Sequence, residues 1–238
     1  MLRFHVVTLF PNVCEPYLSD SILARAIKEK KIAVSFYNPR DYVKGKHRKV
    51  WPDGNVSKIV DDRPYGGGPG MVIRAEPVLD CVDVILKKIE KRKPTKTDSG
   101  KPKIKIILLG PHGAMFNTAY AKTTTKKYTD IILLSGRYEG IDVRVKNILK
   151  AEEVSIGDYV LTGGELPALV MIDSMARQVE GVLGNFDSRE EERVSSNEFY
   201  TRPEVIEYKK KKYKVPEVFI SGHHKKIEKR KKEGKEKK

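Results

Sequence analysis

Short runs rich in apolar residues alternate along the chain with stretches in which apolar residues recur at helical spacing. The apolar runs predict strands at residues 2–9, 32–38, 104–109, 131–134 and 153–155. The helical spacing predicts helices at residues 21–30, 78–89, 117–126 and 142–150, and another from about residue 165. Strands that alternate with helices indicate an α/β fold with a mostly parallel sheet.

Three glycine-bearing loops follow three of the predicted strands, at residues 110–113, 136–140 and 156–164. Open α/β sheets bind ligands beyond the carboxyl ends of their strands, so these loops are predicted to converge at one sheet edge. Their spacing matches neither the dinucleotide-binding nor the P-loop pattern. On the glycines alone, ligand binding and plain turn chemistry are both open.

Residues 40–70 have no sustained hydrophobic period, and they predict a long polar loop. The loop carries several basic residues, Trp51 and the acidic pair Asp61 and Asp62. Two interpretations are open: a mobile surface loop, or a loop that closes on a polyanionic substrate. Residues 90–103 are predicted to be a polar linker within the domain.

The charge of the chain points to a polyanionic partner. The net charge is +15, and residues 209–238 contribute +10 of it through 14 Lys or Arg against 4 Glu. Nucleic acid is the favoured partner. An acidic membrane surface is a weaker alternative, because the basic tail has few large apolar residues.

The cysteines and histidines give no sign of a disulfide framework or a metal site. Cys14 and Cys81 stand outside any C-x-x-C motif, and they are predicted to be reduced packing residues of a cytoplasmic protein. The five histidines form no metal-ligand pattern, and no metal is predicted. We expect no membrane-spanning segment and no signal peptide.

Several motifs resemble one known family in their order along the chain. They are DDRPYGGGPGM (61–71), GRYEGID (136–142), SIGDYVLTGGELPAL (155–169), GVLG (181–184), YTRPEV (200–205) and SGHH (221–224). Together they resemble the bacterial tRNA (guanine-N1)-methyltransferase family. The resemblance implies methylation of guanine 37 in the tRNA anticodon loop, which gives 1-methylguanosine and supports reading-frame maintenance.

The resemblance also implies the architecture. It implies a homodimer of chains with a trefoil-knotted, SPOUT-like α/β domain, a mostly parallel sheet flanked by helices, and a small, shortened C-terminal helical domain. The expected division is a methyltransferase domain at 1–173, a linker with the catalytic acid at 174–199, and a short basic tRNA-binding domain at 200–238.

The implied methyl donor is S-adenosylmethionine, and the family's donor-binding residues can be carried over position by position. They are Leu109, Gly110, Pro111, Gly113, Gly136, Tyr138, Glu139, Ser155, Ile156, Gly157, Asp158, Tyr159, Val160, Leu161, Gly163, Gly164 and Pro167. Assistance by Mg²⁺ is compatible with the chemistry, but the sequence does not indicate it.

The reaction needs a base, because guanine N1 carries a proton at neutral pH. The family's catalytic Asp aligns with Glu192, and Asp187 is the rival position. Glu192 is favoured, although Arg193 follows it where the family usually has Ser. Arg177 matches the family's active-site Arg, and a cation there would stabilise charge that develops on the base.

The resemblance implies four residues that contact the tRNA. Asp61 would shape the guanine pocket, and Arg202, His223 and His224 would contact the RNA. Two other classes stay open: a knotted methyltransferase with a different RNA target, and an RNA-binding protein that has lost its catalytic base.

Overall fold

The computed structural model describes residues 1–93, 100–183 and 198–233 of the chain. The chain divides into two compact units, residues 1–184 and 185–238. The expected boundaries at 173 and 199 stay predictions.

A five-stranded sheet forms the centre of the first unit. The strands of this unit are β1 (Leu2–Val7), β2 (Ile32–Tyr37), β3 (Arg48–Val50), β4 (Val56–Lys58), β5 (Asp61–Asp62), β6 (Val72–Ile73), β7 (Ile104–Met115), β8 (Asp130–Ser135) and β9 (Glu152–Ser155). The central sheet has the order β2-β1-β8-β7-β9, and every pair in it is parallel. The prediction of an α/β fold with a mostly parallel sheet is confirmed.

Helices cover both faces of this sheet. They are α1 (Pro11–Leu18), α2 (Ser21–Lys28), α3 (Ala75–Lys91), α4 (Thr118–Lys127), α5 (Val143–Leu149) and α6 (Glu165–Ala176). All but α1 were predicted. Pro11 follows the first predicted strand and opens α1, because proline fits the first helical position without losing a hydrogen bond.

The core is two layers of apolar side chains, one on each face of the sheet. Along β8, Ile131 and Leu133 join the layer under α1, α2, α4 and α6, while Ile132 and Leu134 join the layer under α3 and α5. All four side chains are fully buried. Strand alternation therefore explains why this run is apolar throughout rather than at every second position.

The structure corrects the prediction that residues 40–70 form a structureless loop. The strands β3 and β4 make an antiparallel hairpin, and β5 pairs with β6 in a second small sheet. The hairpin gave no period-two signal because its strands are largely exposed on both faces. Because neither strand buries one face in the core, the hairpin has no alternating apolar pattern for a sequence reading to detect.

The amino edge of the sheet holds a buried charge cluster around Asp130, the first residue of β8. Its carboxylate accepts hydrogen bonds from His5 Nε2 at 3.0 Å, Thr129 Oγ1 at 2.8 Å and both terminal nitrogens of Arg92 at 2.7 and 2.8 Å. Burial alone would raise the pKa of Asp130, but these donors hold it well below its usual range. The cluster therefore stabilises the sheet edge opposite the three loops.

Within its described residues, 198–233, the second unit contains a hairpin and two short helices. They are β10 (Val205–Tyr208), paired antiparallel with β11 (Lys211–Lys214), then α7 (Glu217–Ile220) and α8 (His224–Glu233). The rings of Tyr200 and Phe219 pack at 5.2 Å. In the described ranges of the whole chain, no helix is long and apolar enough to cross a membrane.

Candidate active site

The three predicted loops meet at the carboxyl edge of the sheet, where β7 lies between β8 and β9. The first is a bulge within β7, not a loop after it: Leu109 and Ala114 both stand opposite Val154, and the residues between them leave the ladder. The predicted strand end at residue 109 is therefore wrong. A Gly-Pro pair is typical of a strand end, but a β-bulge also accommodates it.

Two glycines allow the backbone segments of this edge to approach each other closely. A Cβ atom at Gly113 would overlap the backbone of Glu153 and Val154, so the bulge could not lie against β9. A Cβ at Gly164 would lie 2.7 Å from the Ser135 Cα. Both positions thus have a structural reason for glycine, independent of any ligand.

A cavity of about 480 Å³ lies between the three segments. Its size is in the range of about 300–1,000 Å³ that is common for small-molecule sites. Fourteen of the predicted donor-binding residues line it, namely Leu109, Gly110, Pro111, Gly136, Tyr138, Glu139, Ser155, Ile156, Tyr159, Val160, Leu161, Gly163, Gly164 and Pro167. Gly113, Gly157 and Asp158 do not line it.

The cavity wall also contains residues that the sequence reasoning did not single out, among them Arg137, Lys146, Glu153 and Thr162. The Lys146 Nζ lies 2.6 Å from a Glu153 carboxylate oxygen. A charged residue two positions after the end of a fully buried strand was the available signal for Arg137, because such a position lies at the sheet edge.

Arg137 joins two of the cavity loops to a buried acid. Its Nε lies 2.9 Å from Glu165 Oε2, an ion pair without the angle of a good hydrogen bond, and its Nη1 donates to the Thr162 carbonyl at 3.3 Å. Glu165 is 1% exposed, and its other oxygen accepts from Thr8 Oγ1 at 2.6 Å. The ion pair therefore fixes the second and third loops to the first turn of α6.

The glycine-rich segment after β5 packs beside the second loop. The Glu139 amide donates to the Met71 carbonyl at 3.0 Å, and the Ile73 amide donates to the Gly140 carbonyl at 2.9 Å. A Cβ at Gly70 would overlap the Glu139 side chain. Asp61 is half-buried in β5 opposite Ile73 and does not line the cavity.

Of the predicted catalytic residues, the structure describes only Arg177. Arg177 is half-buried just after the last turn of α6 and does not line the cavity. Glu192 and its rival Asp187 lie outside the described residues. Arg202, His223 and His224 belong to the second unit and are exposed there.

Metal ligands do not cluster in the part of the chain that the structure describes. Within residues 1–93, 100–183 and 198–233, no group of three or more His, Cys, Asp or Glu side chains could hold a metal ion.

A parallel sheet with a glycine-lined cavity at its carboxyl edge is the arrangement in which α/β proteins commonly bind small ligands. The family model described as tRNA (Guanine-1)-methyltransferase TrmD matches residues 2–238. The chain therefore belongs to this family.

Curated relatives agree with the family model over nearly the whole chain. A protein of Clostridioides difficile is 44% identical over 231 residues, which are 95% of this chain and 89% of the relative. One of Campylobacter jejuni subsp. doylei is 43% identical over 230 residues, 95% of this chain and 88% of the relative. A protein of Lachnospira eligens is 44% identical over 232 residues, which are 96% of this chain and 87% of the relative. Each is named tRNA (guanine-N(1)-)-methyltransferase.

Proposed function

We propose that this chain transfers a methyl group from S-adenosylmethionine to N1 of guanine 37 in tRNA. The observation that carries the proposal is the cavity at the carboxyl edge of the sheet. It is lined by the GRYEGID and SIGDYVLTGGELPAL segments. These motifs carry the resemblance to the methyltransferase family to which the chain belongs.

The side chains around the cavity fit S-adenosylmethionine. Leu109, Pro111, Ile156 and Leu161 supply apolar wall, and the glycines place no side chain between the backbone and the ligand. Glu139 makes no ion pair among the described residues, and its carboxylate suits a cationic ligand. When bound, S-adenosylmethionine would supply the methyl group from its sulfonium, a chemistry that requires no metal.

The residues of this chain would act on the guanine. Glu192 would accept the N1 proton, and its arm is one methylene longer than that of the family's Asp. Arg177 would place a cation near O6, where negative charge develops as N1 loses its proton. Asp187 is the rival base.

Contacts with the tRNA would come from both units. Asp61 lies in the short sheet that is hydrogen-bonded to the second cavity loop, so it is a candidate for shaping the guanine pocket. In the second unit, Arg202, His223 and His224 are exposed together with the lysines of the β10–β11 hairpin. Exposed cations of this density suit the phosphate backbone.

Homodimerisation is part of the proposal, and an exposed apolar surface supports it. Val13 and Tyr17 of α1 are 50% and 51% exposed, and Leu166 and Val170 of α6 are 54% and 45% exposed. The two helices pack together, with Tyr17 donating to the Asp173 carboxylate. Contiguous exposed apolar side chains of this kind mark interfaces.

If this surface holds the dimer together, charged side chains placed on it should dissociate the dimer into monomers. The Leu166→Lys/Val170→Lys double variant should sediment as a monomer, because burying two lysines against a second copy is unfavourable. Sedimentation velocity of this variant beside Ile148→Lys, an exposed α5 position at 62%, gives the comparison. A wild-type protein that sediments as a monomer at micromolar concentration would contradict the dimer.

The trefoil knot also belongs to the proposal. In the parallel sheet, β7 lies between β8 and β9, the two strands that follow it in the chain. An experimental structure in which no segment of the chain passes through a loop formed by another segment would contradict the knot.

The product of the reaction tests the proposed activity. Incubation with S-adenosylmethionine and an unmodified tRNA transcript, followed by digestion to nucleosides, should give 1-methylguanosine in mass spectrometry. A methylated nucleoside of another kind would contradict the target atom. Absence of any methylated nucleoside, despite measured donor and tRNA binding, would contradict the activity itself.

A further inference from the structure

The β3–β4 hairpin has no part in the cavity, yet it concentrates exposed cations around an exposed aromatic ring. Residues 44–60 carry five Lys or Arg and one acid. Trp51, at the end of the hairpin, is 54% exposed. We propose that this hairpin binds an unpaired nucleotide of the tRNA, with Trp51 stacked on its base. The inference rests on the proposed function, because it takes tRNA as the substrate.

The turn of the hairpin is well defined, so Trp51 has a fixed place in it. The Trp51 amide donates to the Asn55 carbonyl at 2.8 Å, and the Gly54 amide donates to the Trp51 carbonyl at 2.9 Å. The Asp53 side chain accepts from the Asn55 amide at 3.0 Å. Trp51 is therefore the residue that continues β3, opposite Asn55, rather than part of a loose loop.

Strand alternation gives the hairpin two different faces. Lys49 pairs with Ser57, and Trp51 stands opposite Asn55 two residues further along. Opposed residues of an antiparallel pair lie on one face, so this face carries a cation, an indole ring and two small polar side chains. That combination suits one nucleotide: Lys49 for the phosphate and Trp51 for the base.

The cations needed for RNA are available on this hairpin. Within the part of the chain that the structure describes, Lys46, Arg48 and Lys49 are exposed and form no ion pair. Lys44 and Lys58 are bound to Asp80 and Asp41 at 2.7 and 2.9 Å. The partner must therefore carry negative charge. A second copy of this chain fits poorly, because it would bring two surfaces of the same charge together.

The hairpin is connected to the cavity by a short series of backbone hydrogen bonds. At its base the Ile59 amide donates to the His47 carbonyl at 3.0 Å, and the Arg74 amide donates to the Val60 carbonyl at 2.8 Å. Arg74 follows β6, which is bonded to the second cavity loop. Trp51 lies four residues beyond His47, roughly 13 Å along a strand. The hairpin is thus positioned to hold a nucleotide other than the one being methylated.

Trp51 is the one tryptophan of the chain, so its fluorescence reports on this site alone. Titration of the full-length protein with an anticodon-stem-loop RNA should quench the fluorescence, because a stacked base quenches indole emission. The same nucleotides closed into a continuous duplex should quench it much less. Equal quenching by both RNAs, or no change at saturating stem-loop RNA, would overturn the inference.

Variants separate stacking from charge. Trp51→Ala should weaken tRNA binding in a filter assay by about tenfold, and Trp51→Phe should retain most of the affinity. Ile148→Ala, an exposed apolar position away from the hairpin and the cavity, is the control and should bind like the wild type. Wild-type affinity of Trp51→Ala would overturn the inference.

Kinetics distinguish this inference from the proposed function. In single-turnover methyl transfer, Trp51→Ala should need about tenfold more tRNA for half-maximal rate but reach the wild-type rate at saturation. A wild-type half-saturation in this variant would reject the hairpin while the methyltransferase activity stands. Fluorescence quenching in a wild-type protein that transfers no methyl group would retain the hairpin and reject the activity.

Discussion

Replacement of Glu192 by glutamine is expected to slow single-turnover methyl transfer by about 10²- to 10⁴-fold, the usual contribution of a general base. Glutamine has nearly the same size and hydrogen-bonding reach, but its amide cannot accept the guanine N1 proton. The deprotonated guanine is the nucleophile, so methyl transfer itself should slow, while the binding of donor and tRNA persists. The single-turnover rate is measured by rapid-quench assay of labelled methyl transfer to the tRNA transcript, at saturating donor and RNA.

The matched control is Asp187→Asn, the same change of carboxylate to amide in the same segment. It should alter the rate by less than about threefold if Glu192 is the base, because an acid that takes no part in the proton transfer contributes little to its rate. The reverse pattern, a large loss in Asp187→Asn and a near-normal Glu192→Gln, would assign the base to Asp187. Donor and tRNA affinities of both variants should match the wild type.

Replacement of Arg137 by methionine is expected to lower the free energy of unfolding by about 3 kcal/mol. Methionine retains the aliphatic length but leaves the 1%-exposed Glu165 carboxylate with the Thr8 hydroxyl as its remaining described donor. An uncompensated buried charge is costly in a low-dielectric interior. Urea denaturation monitored by circular dichroism measures the change. Donor affinity should fall too, because Arg137 links two loops of the cavity.

Two further variants make this prediction specific to the buried ion pair. Adding Glu165→Gln to Arg137→Met should recover part of the lost stability, because the buried charge is then removed as well. Arg144→Met breaks the ion pair between Arg144 and Asp142. The Arg144 side chain is 66% exposed, so this change should leave the stability close to that of the wild type. Similar losses in Arg137→Met and Arg144→Met would show that burial of Glu165 is not the cause.

The central sheet could be predicted because burial leaves a direct mark on the sequence. The fully buried β8 is an unbroken apolar run, and Asp142 and Asn117 provide the side-chain caps that begin α5 and α4. The β3–β4 hairpin could not be predicted in this way. Its strands are held by main-chain hydrogen bonds and a Pro-Asp-Gly turn, with little apolar burial to set a period.

The position of the cavity could also be predicted from the sequence. Glycines after parallel strands indicate a ligand site at a sheet edge, and the family resemblance gave the particular residues. Arg137 was missed because its role depends on Glu165 and Thr8, which are distant in sequence and meet only in the fold. Gly113 stays a predicted ligand contact, and its environment adds a packing constraint against β9 that no local pattern reveals.

The position of methylation tests the central claim most directly. Two unmodified tRNA transcripts that differ only at position 37, one with guanine and one with adenine, are incubated with the protein and labelled S-adenosylmethionine. We predict label in the guanine transcript alone, with a reverse-transcription stop at position 37. Equal label in both transcripts would contradict guanine 37 as the target, and no label in either would contradict methyl transfer to tRNA by this chain.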